Sequence, residues 1–163
     1  SYGLKSSEML QIGHNFRMPT VLAALGKSQL DKLEYIINRR RTIANYYNRV
    51  FENLGNLKRF NYPQKNNSVH QIYNLMFDET FRRDDCMKYL KNHGIPSRIT
   101  YPAVHLGAYF KEHFGTRQGD LPVTEDISSK ILTIPLHLSL SEKDIEYIGS
   151  KVINFFEING GEL

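Results

Sequence analysis

Tryptophan is absent from this 163-residue chain, and cysteine occurs only once, as Cys86. A single cysteine excludes an internal disulfide and predicts a reducing, cytoplasmic setting. No apolar run approaches the roughly 18–20 residues that a membrane-spanning helix needs, and no signal-peptide pattern opens the chain. We therefore expect neither a disulfide scaffold nor a membrane partner.

Several signatures of catalytic and metal sites are missing as well. The chain has no GxSxG nucleophile elbow and no glycine pattern of a Walker or Rossmann site. Six histidines are present, but they have none of the spacings of a zinc site: His14, His70, His93, His105, His113 and His137. Taken alone, the sequence predicts no metal site and no complete catalytic centre.

The net charge of +4 and the isoelectric point near 9.1 are only mildly basic. Arg39, Arg40 and Arg41 form the one dense cluster of basic residues. Three consecutive residues of a helix spread around most of its circumference, so they make no single basic face. Nucleic-acid binding is therefore the weakest of the functions considered.

Residues 13–26 carry the most informative pattern, in which Asn15 and Arg17 precede an apolar, alanine-rich helix with Pro19 near its start. Proline is tolerated in the first helical turn, where its missing N–H would be unpaired in any case. Asn15 and Arg17 are therefore expected before a helix N-terminus, where free N–H groups and the helix dipole favour a phosphate or carboxylate. The alternative is that Asn15 is a helix cap and Arg17 a solvated charge.

Apolar residues recur at helical spacing over residues 19–51 and predict one long helix, which only Gly26 interrupts. About 30 helical residues extend roughly 45 Å, long enough to bridge to another body. Beyond it we predict strands at 69–77, 95–101 and 131–136, and helices at 83–92, 122–130 and behind a capping box of Ser141 and Asp144. Short strands alternating with helices favour an α+β two-layer sandwich.

Two loops carry polar and aromatic side chains at the ends of predicted strands, where binding residues often lie. Tyr101 and His105 follow the second strand, and His137 follows the third. Alternatively, Tyr101 lies at the edge of the core and each histidine hydrogen-bonds to a turn. The residues alone leave both interpretations open.

Three sets of motifs occur in an order and spacing that resembles one protein family: GHNFRM with AALGKSQLDKL and RRR, then GI-x-x-R-x-x-YPAVHL, then LPVTEDISSKILTIPLHLSLS. On these motifs the chain resembles the C-terminal part of a sugar aminotransferase of the DegT/DnrJ/StrS type, with the type I pyridoxal-phosphate fold. The resemblance covers nearly the whole chain, from about Gly13 to Phe156. Three motifs in register are more specific than any one of them.

The resemblance implies that residues 1–50 are the tail of a large domain with a long connecting helix. Residues 51–163 would form the small C-terminal α+β domain. Family members are homodimers with two sites at the subunit interface. They transfer an amino group from glutamate or a similar donor to a nucleotide-linked keto-sugar, with pyridoxal 5'-phosphate as cofactor. Because the chain opens without Met or a Gly-rich loop, we expect it to be a piece that lacks an N-terminal half.

The same resemblance implies roles for individual residues. Asn15 would donate a hydrogen bond to the cofactor phosphate in the partner subunit's site, and Arg17 would contact the sugar nucleotide there; both roles suit an amide donor and a guanidinium fork. Tyr101 matches the tyrosine of the family's His-Tyr-Pro motif near the sugar, and His105 follows it in the same substrate loop. Thr100 stands where that motif has histidine, and this and other departures from the family's pattern leave the identity of the sugar unreadable.

No catalytic residue is assigned, because a type I transaminase needs a Schiff-base lysine, an aspartate at the pyridinium nitrogen and a phosphate cup. In the family these lie upstream of the matched region, and no lysine here has the family's Ser-x-His-x-x-Lys surroundings. The isolated chain is therefore expected to be inactive. Two alternatives stay open: part of a pyridoxal-phosphate-dependent sugar dehydratase, in which histidine replaces that lysine, or a stand-alone binding or regulatory module.

Overall fold

The computed structural model describes residues 16–55, 57–58, 68–78 and 83–159. Their helices are α1 (Thr20–Leu30), α2 (Leu33–Val50), α3 (Arg83–Asn92), α4 (Ala108–Phe114), α5 (Pro122–Lys130) and α6 (Glu142–Asn159). By contacts the chain divides into two compact units, Ser1–Glu34 and Tyr35–Leu163. The domain boundary near residue 50 rests on the family resemblance and stays a prediction.

The first unit contains α1, a helix exposed to solvent on every side. None of its residues is buried, and Val21, Leu22, Leu25 and Leu30 are each more than half exposed. Gly26 lies inside this helix, and a Cβ atom placed on it would meet nothing within 4 Å. The prediction that Gly26 interrupts the helix is therefore wrong.

The prediction of one long helix over residues 19–51 is also wrong, because α1 and α2 are separate. Asp31 and Lys32 form the turn after α1, and the N–H of Lys32 donates to the carbonyl of Gln29, three residues back, at 3.1 Å. Such a bond tightens the last turn of a helix and ends its regular pattern. The sequence carried no Gly or Pro signal at this position.

The second unit is built on a three-stranded antiparallel sheet of β1 (Leu57–Lys58), β2 (Tyr73–Phe77) and β3 (Ile131–Ile134), in that order. β2 pairs with β3 in a register that sets Tyr73 opposite Ile134. All four residues of β3 are buried, as expected for the apolar run ILTI. β3 ends before Pro135, two residues earlier than predicted, because proline has no N–H for a ladder.

The predicted strand at 95–101 is wrong, since only Arg98 pairs with the sheet, through an isolated bridge to Thr133. Pro96 and Pro102 stand on either side and cannot donate ladder hydrogen bonds. β2 also starts four residues later than predicted, because His70 adopts a positive φ of 45° and residues 71–72 form a bend. The prolines beside Arg98 and the backbone conformation of His70 thus limit the length of these two extended segments.

Helices and the small sheet together form an α+β fold, whose core draws on α2, α3, α6, β2 and β3. α3 lies against α6 and β3, and α5 lies against β2. The largest fully buried side chains are Tyr47, Phe77, Ile43, Leu90, Leu132, Ile134, Ile145, Val152 and Cys86. Tyr47 stacks on Phe51 and donates from its hydroxyl to the carbonyl of Pro135 at 3.0 Å, which satisfies its buried polar atom.

Local signals placed several helices correctly. α3 spans the predicted residues and is followed by Gly94 in the left-handed conformation, with φ of 73°. At the start of α6, the hydroxyl of Ser141 accepts from the N–H of Asp144, whose carboxylate accepts from the N–H of Ser141. This reciprocal pair is the predicted capping box.

Two short elements between residues 104 and 114 were not predicted: a 3-10 helix at Val104–Leu106, and α4. α5 begins at Pro122 as predicted. Asp120 is a residue type that can cap a helix starting there, but Leu121 holds the N-cap position. The carboxylate of Asp120 instead accepts from the N–H of Arg117 at 2.9 Å. Within the described residues, no helix is both long enough and apolar enough to cross a membrane.

Candidate functional site

Arg17 lies in the first unit, just before α1. Its side chain is exposed, as are those of Phe16 and Met18, at 87% and 72%. Pro19 holds the N-cap position and makes no side-chain capping bond, so no side chain among the described residues caps the first N–H groups of α1. An exposed guanidinium beside an uncapped helix N-terminus is suited to an anion. Asn15 lies outside the described residues.

Tyr101 belongs to the second unit and lies in what we call the substrate loop, residues 99–107. The loop leaves the sheet at Arg98, whose N–H donates to the carbonyl of Thr133 at 3.1 Å and whose carbonyl accepts from the N–H of Thr133 at 2.7 Å. Thr100 is buried, whereas the side chain of Tyr101 is 70% exposed. Tyr101 has no hydrogen bond to any described residue, so its hydroxyl is available to a ligand.

His105 is the buried end of the substrate loop. Its Nε2 lies 2.9 Å from Oε1 of Glu125, and the two side chains are 8% and 15% exposed. Nδ1 of His105 is buried and has no partner among the described residues. Since a carboxylate only accepts hydrogen bonds, Nε2 carries the proton in this pair. The side chain of His105 is therefore committed to the interior and not to the surface that carries Tyr101.

Glu125 was not singled out from the sequence. Its carboxylate accepts further hydrogen bonds besides the one from His105. Its carboxylate accepts from the N–H of Gly119, at 2.9 Å to Oε1, and from the N–H of Leu121 at 3.3 Å. The hydrogen bond from His105, together with these two backbone bonds, lowers the pKa of Glu125 below its usual value. A glutamate in the first turn of a predicted helix was the only signal for it.

A shallow cleft of about 360 Å³ lies between residues 71–72, 96–98 and 133–137, directly before the substrate loop. Arg98 and His137 on its wall are exposed, and His137 was one of the residues that the sequence raised for binding. Oγ of Ser97, also on the wall, is buried without a partner among the described residues. The cleft is thus mixed in polarity, with one guanidinium and one imidazole at its surface.

The three consecutive arginines are used within the second unit. Arg39 donates to the carboxylate of Glu142 and to the carbonyl of Leu140, each at 2.6 Å. Arg40 donates to two carbonyls, those of residues 70 and 71, and Arg41 donates to that of residue 68. These bonds hold α2 to two other stretches of the chain, residues 68–71 and residues 140–142, which gives the cluster a role within the fold.

The described residues contain no group of three or more histidines, cysteines or acids that is placed to hold a metal ion. Burial raises the pKa of the Cys86 thiol to about 12, so this cysteine is a packing residue and not a nucleophile. None of the lysines in the described ranges is buried, as a Schiff-base lysine in a protected pocket would be. These residues do not by themselves fit a complete pyridoxal-phosphate site.

The model of the DegT/DnrJ/EryC1/StrS aminotransferase family matches residues 2–153. The chain belongs to this family. It is 26% identical over 158 residues to UDP-4-amino-4,6-dideoxy-N-acetyl-beta-L-altrosamine transaminase of Campylobacter jejuni, which covers 94% of this chain and 41% of the relative. GDP-perosamine synthase of Vibrio cholerae is 28% identical over 150 residues, covering 89% of this chain and 39% of the relative.

Solved structures of the DegT/DnrJ/EryC1/StrS family have the same fold. Helicobacter pylori PseC, an aminotransferase involved in the biosynthesis of pseudoaminic acid, superposes with a TM-score of 0.79 at 26% identity, over 92% of this chain and 40% of its own. This chain therefore spans about 40% of the length of the relatives it matches. Arg17 and the substrate loop fall within the matched residues of the family.

Proposed function

We propose that this chain is the C-terminal portion of a pyridoxal-phosphate-dependent aminotransferase that acts on a nucleotide-linked keto-sugar in the cytoplasm. The observation that carries this proposal is the family match over residues 2–153. Relatives named for both UDP- and GDP-linked amino sugars support a nucleotide sugar as the substrate class. The amino donor is glutamate or a similar amino acid.

Arg17 provides the first contact with the nucleotide sugar. Its exposed guanidinium and the uncapped N-terminus of α1 together present several N–H donors to solvent. A diphosphate has acceptor oxygens for both kinds of donor, and charge-assisted hydrogen bonds are the stronger kind. Asn15, two residues earlier, binds the phosphate of the cofactor.

Tyr101 provides a second contact, near the sugar. Its exposed hydroxyl can donate to or accept from a sugar hydroxyl. Direct binding of the substrate by His105 stays a prediction, and its burial against Glu125 favours a supporting role. The small C-terminal domain, a two-layer sandwich, thus contributes the substrate loop, and the arm before α1 contributes Arg17.

The remainder of the active site comes from polypeptide outside this chain, namely an N-terminal half and a second subunit. Pyridoxal phosphate, when bound, supplies the electron sink that allows an amino group to be exchanged between two carbonyl carbons. The exposed Val21, Leu22 and Leu25 of α1 support such an assembly, since contiguous apolar surface usually marks an interface. In the homodimer these side chains are covered.

Substitution of Arg17 in the full-length enzyme tests the proposal. Arg17→Ala is expected to raise KM for the nucleotide sugar by about 10- to 100-fold, because one charge-assisted contact is worth about 1.5–3 kcal/mol. The reaction of the bound coenzyme with L-glutamate should stay unchanged. Lys27→Ala, which removes another exposed cation of the first unit, is the matched control. Equal effects of Arg17→Ala and Lys27→Ala would contradict the assignment.

Asn15→Ala should weaken retention of the cofactor, measured by equilibrium dialysis, without changing KM for the sugar.

The gene offers a second test. An in-frame upstream segment with a lysine in Ser-x-His-x-x-Lys surroundings supports an aminotransferase, whereas histidine in that place supports a dehydratase. The isolated chain should show no transamination, and turnover by it would contradict the claim that it is only part of the active site.

A further inference from the structure

We propose that Glu125 is a positioning residue for the binding of the nucleotide sugar: through its hydrogen bond with His105 it holds the substrate loop in place. This inference rests on the proposed function, because the loop matters only if Tyr101 meets the nucleotide sugar. It assigns Glu125 no contact with substrate or cofactor.

The carboxylate of Glu125 joins two separate segments of the chain. It accepts from Nε2 of His105 in the 3-10 helix, and from the N–H groups of Gly119 and Leu121 in the turn before its own helix. If the carboxylate only capped α5, it would need no hydrogen bond from His105. The bond to His105 crosses twenty residues of sequence and ties the substrate loop to α5.

A second bond holds the same end of the loop. The hydroxyl of Thr116 donates to the carbonyl of His105 at 2.6 Å. Within the loop, the N–H of Leu106 donates to Ala103 and that of Gly107 to Val104, so the chain around His105 is a closed turn. His105 is thus fixed through its side chain and its backbone.

The opposite end of the loop is held by the sheet. The two backbone bonds between Arg98 and Thr133 fix the chain three residues before Tyr101, and the Glu125–His105 pair fixes it four residues after. Between these anchors Tyr101 is 70% exposed. A side chain that is exposed yet held at both sides is pre-organised, so less ordering is needed when a ligand binds.

Loss of the pair would release this end of the loop. Without Glu125, both ring nitrogens of His105 would be buried without a partner among the described residues, which favours movement of the ring toward solvent. Displacement of a contact residue by about 1 Å can lower the rate about 100-fold. We therefore expect a loss of about 10- to 100-fold in kcat/KM for the sugar.

The test compares four versions of the full-length enzyme: wild type, Glu125→Ala, Glu125→Gln and Glu112→Ala. Glutamine keeps an oxygen that accepts from His105 and Gly119. Glu112 is an exposed carboxylate on the neighbouring α4 and serves as the matched control. Two half-reactions are followed by the absorbance of the coenzyme, one with L-glutamate and one with an amino-sugar nucleotide, either UDP-4-amino-4,6-dideoxy-N-acetyl-beta-L-altrosamine or GDP-perosamine.

Glu125→Ala should lower kcat/KM about 10- to 100-fold with the amino-sugar nucleotide and less than about twofold with L-glutamate. Glu125→Gln should recover most of that loss, and Glu112→Ala should match wild type. Amide hydrogen exchange should become faster in residues 103–107 of Glu125→Ala and stay unchanged in β2, which reports folding.

Equal losses in both half-reactions, unchanged exchange in the loop, or a glutamine variant as impaired as the alanine variant would overturn the positioning role. Faster exchange in β2 of both Glu125 variants would overturn it too, since the carboxylate would then serve the fold as a whole. These results are distinct from a failure of the proposed function. If the wild-type enzyme converts no member of a panel of UDP- and GDP-linked amino sugars that includes these two, the proposed function is wrong and this inference falls with it.

Discussion

The helices α1 and α6 both carry several apolar residues, but α6 buries many of them and α1 buries none. Ile145, Ile148 and Val152 of α6 are buried at 4% exposure or less, whereas no residue of α1 is buried. Both helices are regular, although an isolated helix as short as α1 is only marginally stable in water. Burial within the second unit stabilises α6, whereas under the proposed function α1 is covered by the rest of the enzyme.

This difference separates two kinds of residue in the chain. Apolar residues of the second unit are expected to govern the stability of the chain alone. Apolar residues of α1 are expected to matter only in the complete enzyme. The following experiments test whether these two kinds of residue differ in this way.

The largest effect is expected from a cavity in the core. Phe77 is fully buried and stacks on Phe156 with ring centroids 5.6 Å apart. Phe77→Ala should lower the free energy of unfolding of the chain by about 3–5 kcal/mol, measured by urea denaturation. A loss below about 1 kcal/mol would mean that this core does not form in solution.

A smaller effect is expected from the capping box of α6. Ser141→Ala removes the hydroxyl that accepts from the N–H of Asp144, and should cost about 1 kcal/mol in the same measurement. Ser150→Ala, on the same helix but outside the cap, is the control. Equal losses at Ser141 and Ser150 would contradict a capping contribution.

The same box predicts a dependence on pH. Hydrogen bonds from the hydroxyl and N–H of Ser141 lower the pKa of Asp144 below its ordinary value of 3.8. A carboxylate with a lowered pKa contributes stability at pH values above 3.8, and this contribution is lost as the pH falls through the lowered value. Asp144→Asn should therefore flatten the fall in stability as the pH drops below 3.8, measured by urea denaturation at each pH.

The smallest effect is expected in α1. Leu25→Gln should change the free energy of unfolding of this chain by less than about 0.5 kcal/mol, because the side chain is already 56% exposed and the helix propensities are similar. In the full-length enzyme the same change should weaken the assembly, measured by analytical ultracentrifugation. Strong destabilisation of the isolated chain would remove the contrast between α1 and α6.

Sequence patterns were sufficient where the determining interactions lie within a few residues. The bounds of α3, the left-handed Gly94 and the reciprocal bonds of Ser141 and Asp144 all depend on neighbours no more than four residues away. Family membership was also readable, because three motifs keep their order along the chain. The extended segment around Arg98 was overestimated, since its pairing depends on two flanking prolines and on a distant strand.

Contacts between distant residues were not readable. The pair of His105 and Glu125 joins two elements, one of which was not predicted at all. α4 was missed because its aromatic residues form a cluster with one another at the surface and show no buried stripe. The roles of Asn15, Arg17 and Tyr101 remain predictions that only the complete enzyme can test.

Successive residues of an α-helix point about 100° apart. Arg39, Arg40 and Arg41 therefore leave α2 in three directions: Arg39 meets the carbonyl of Leu140, and the other two meet the carbonyls of residues 71 and 68. Together they fix the rotation of the helix about its own axis. A substitution at one of them removes one anchor, whereas inserting a single residue before Arg39 would turn all three away from their acceptors at once.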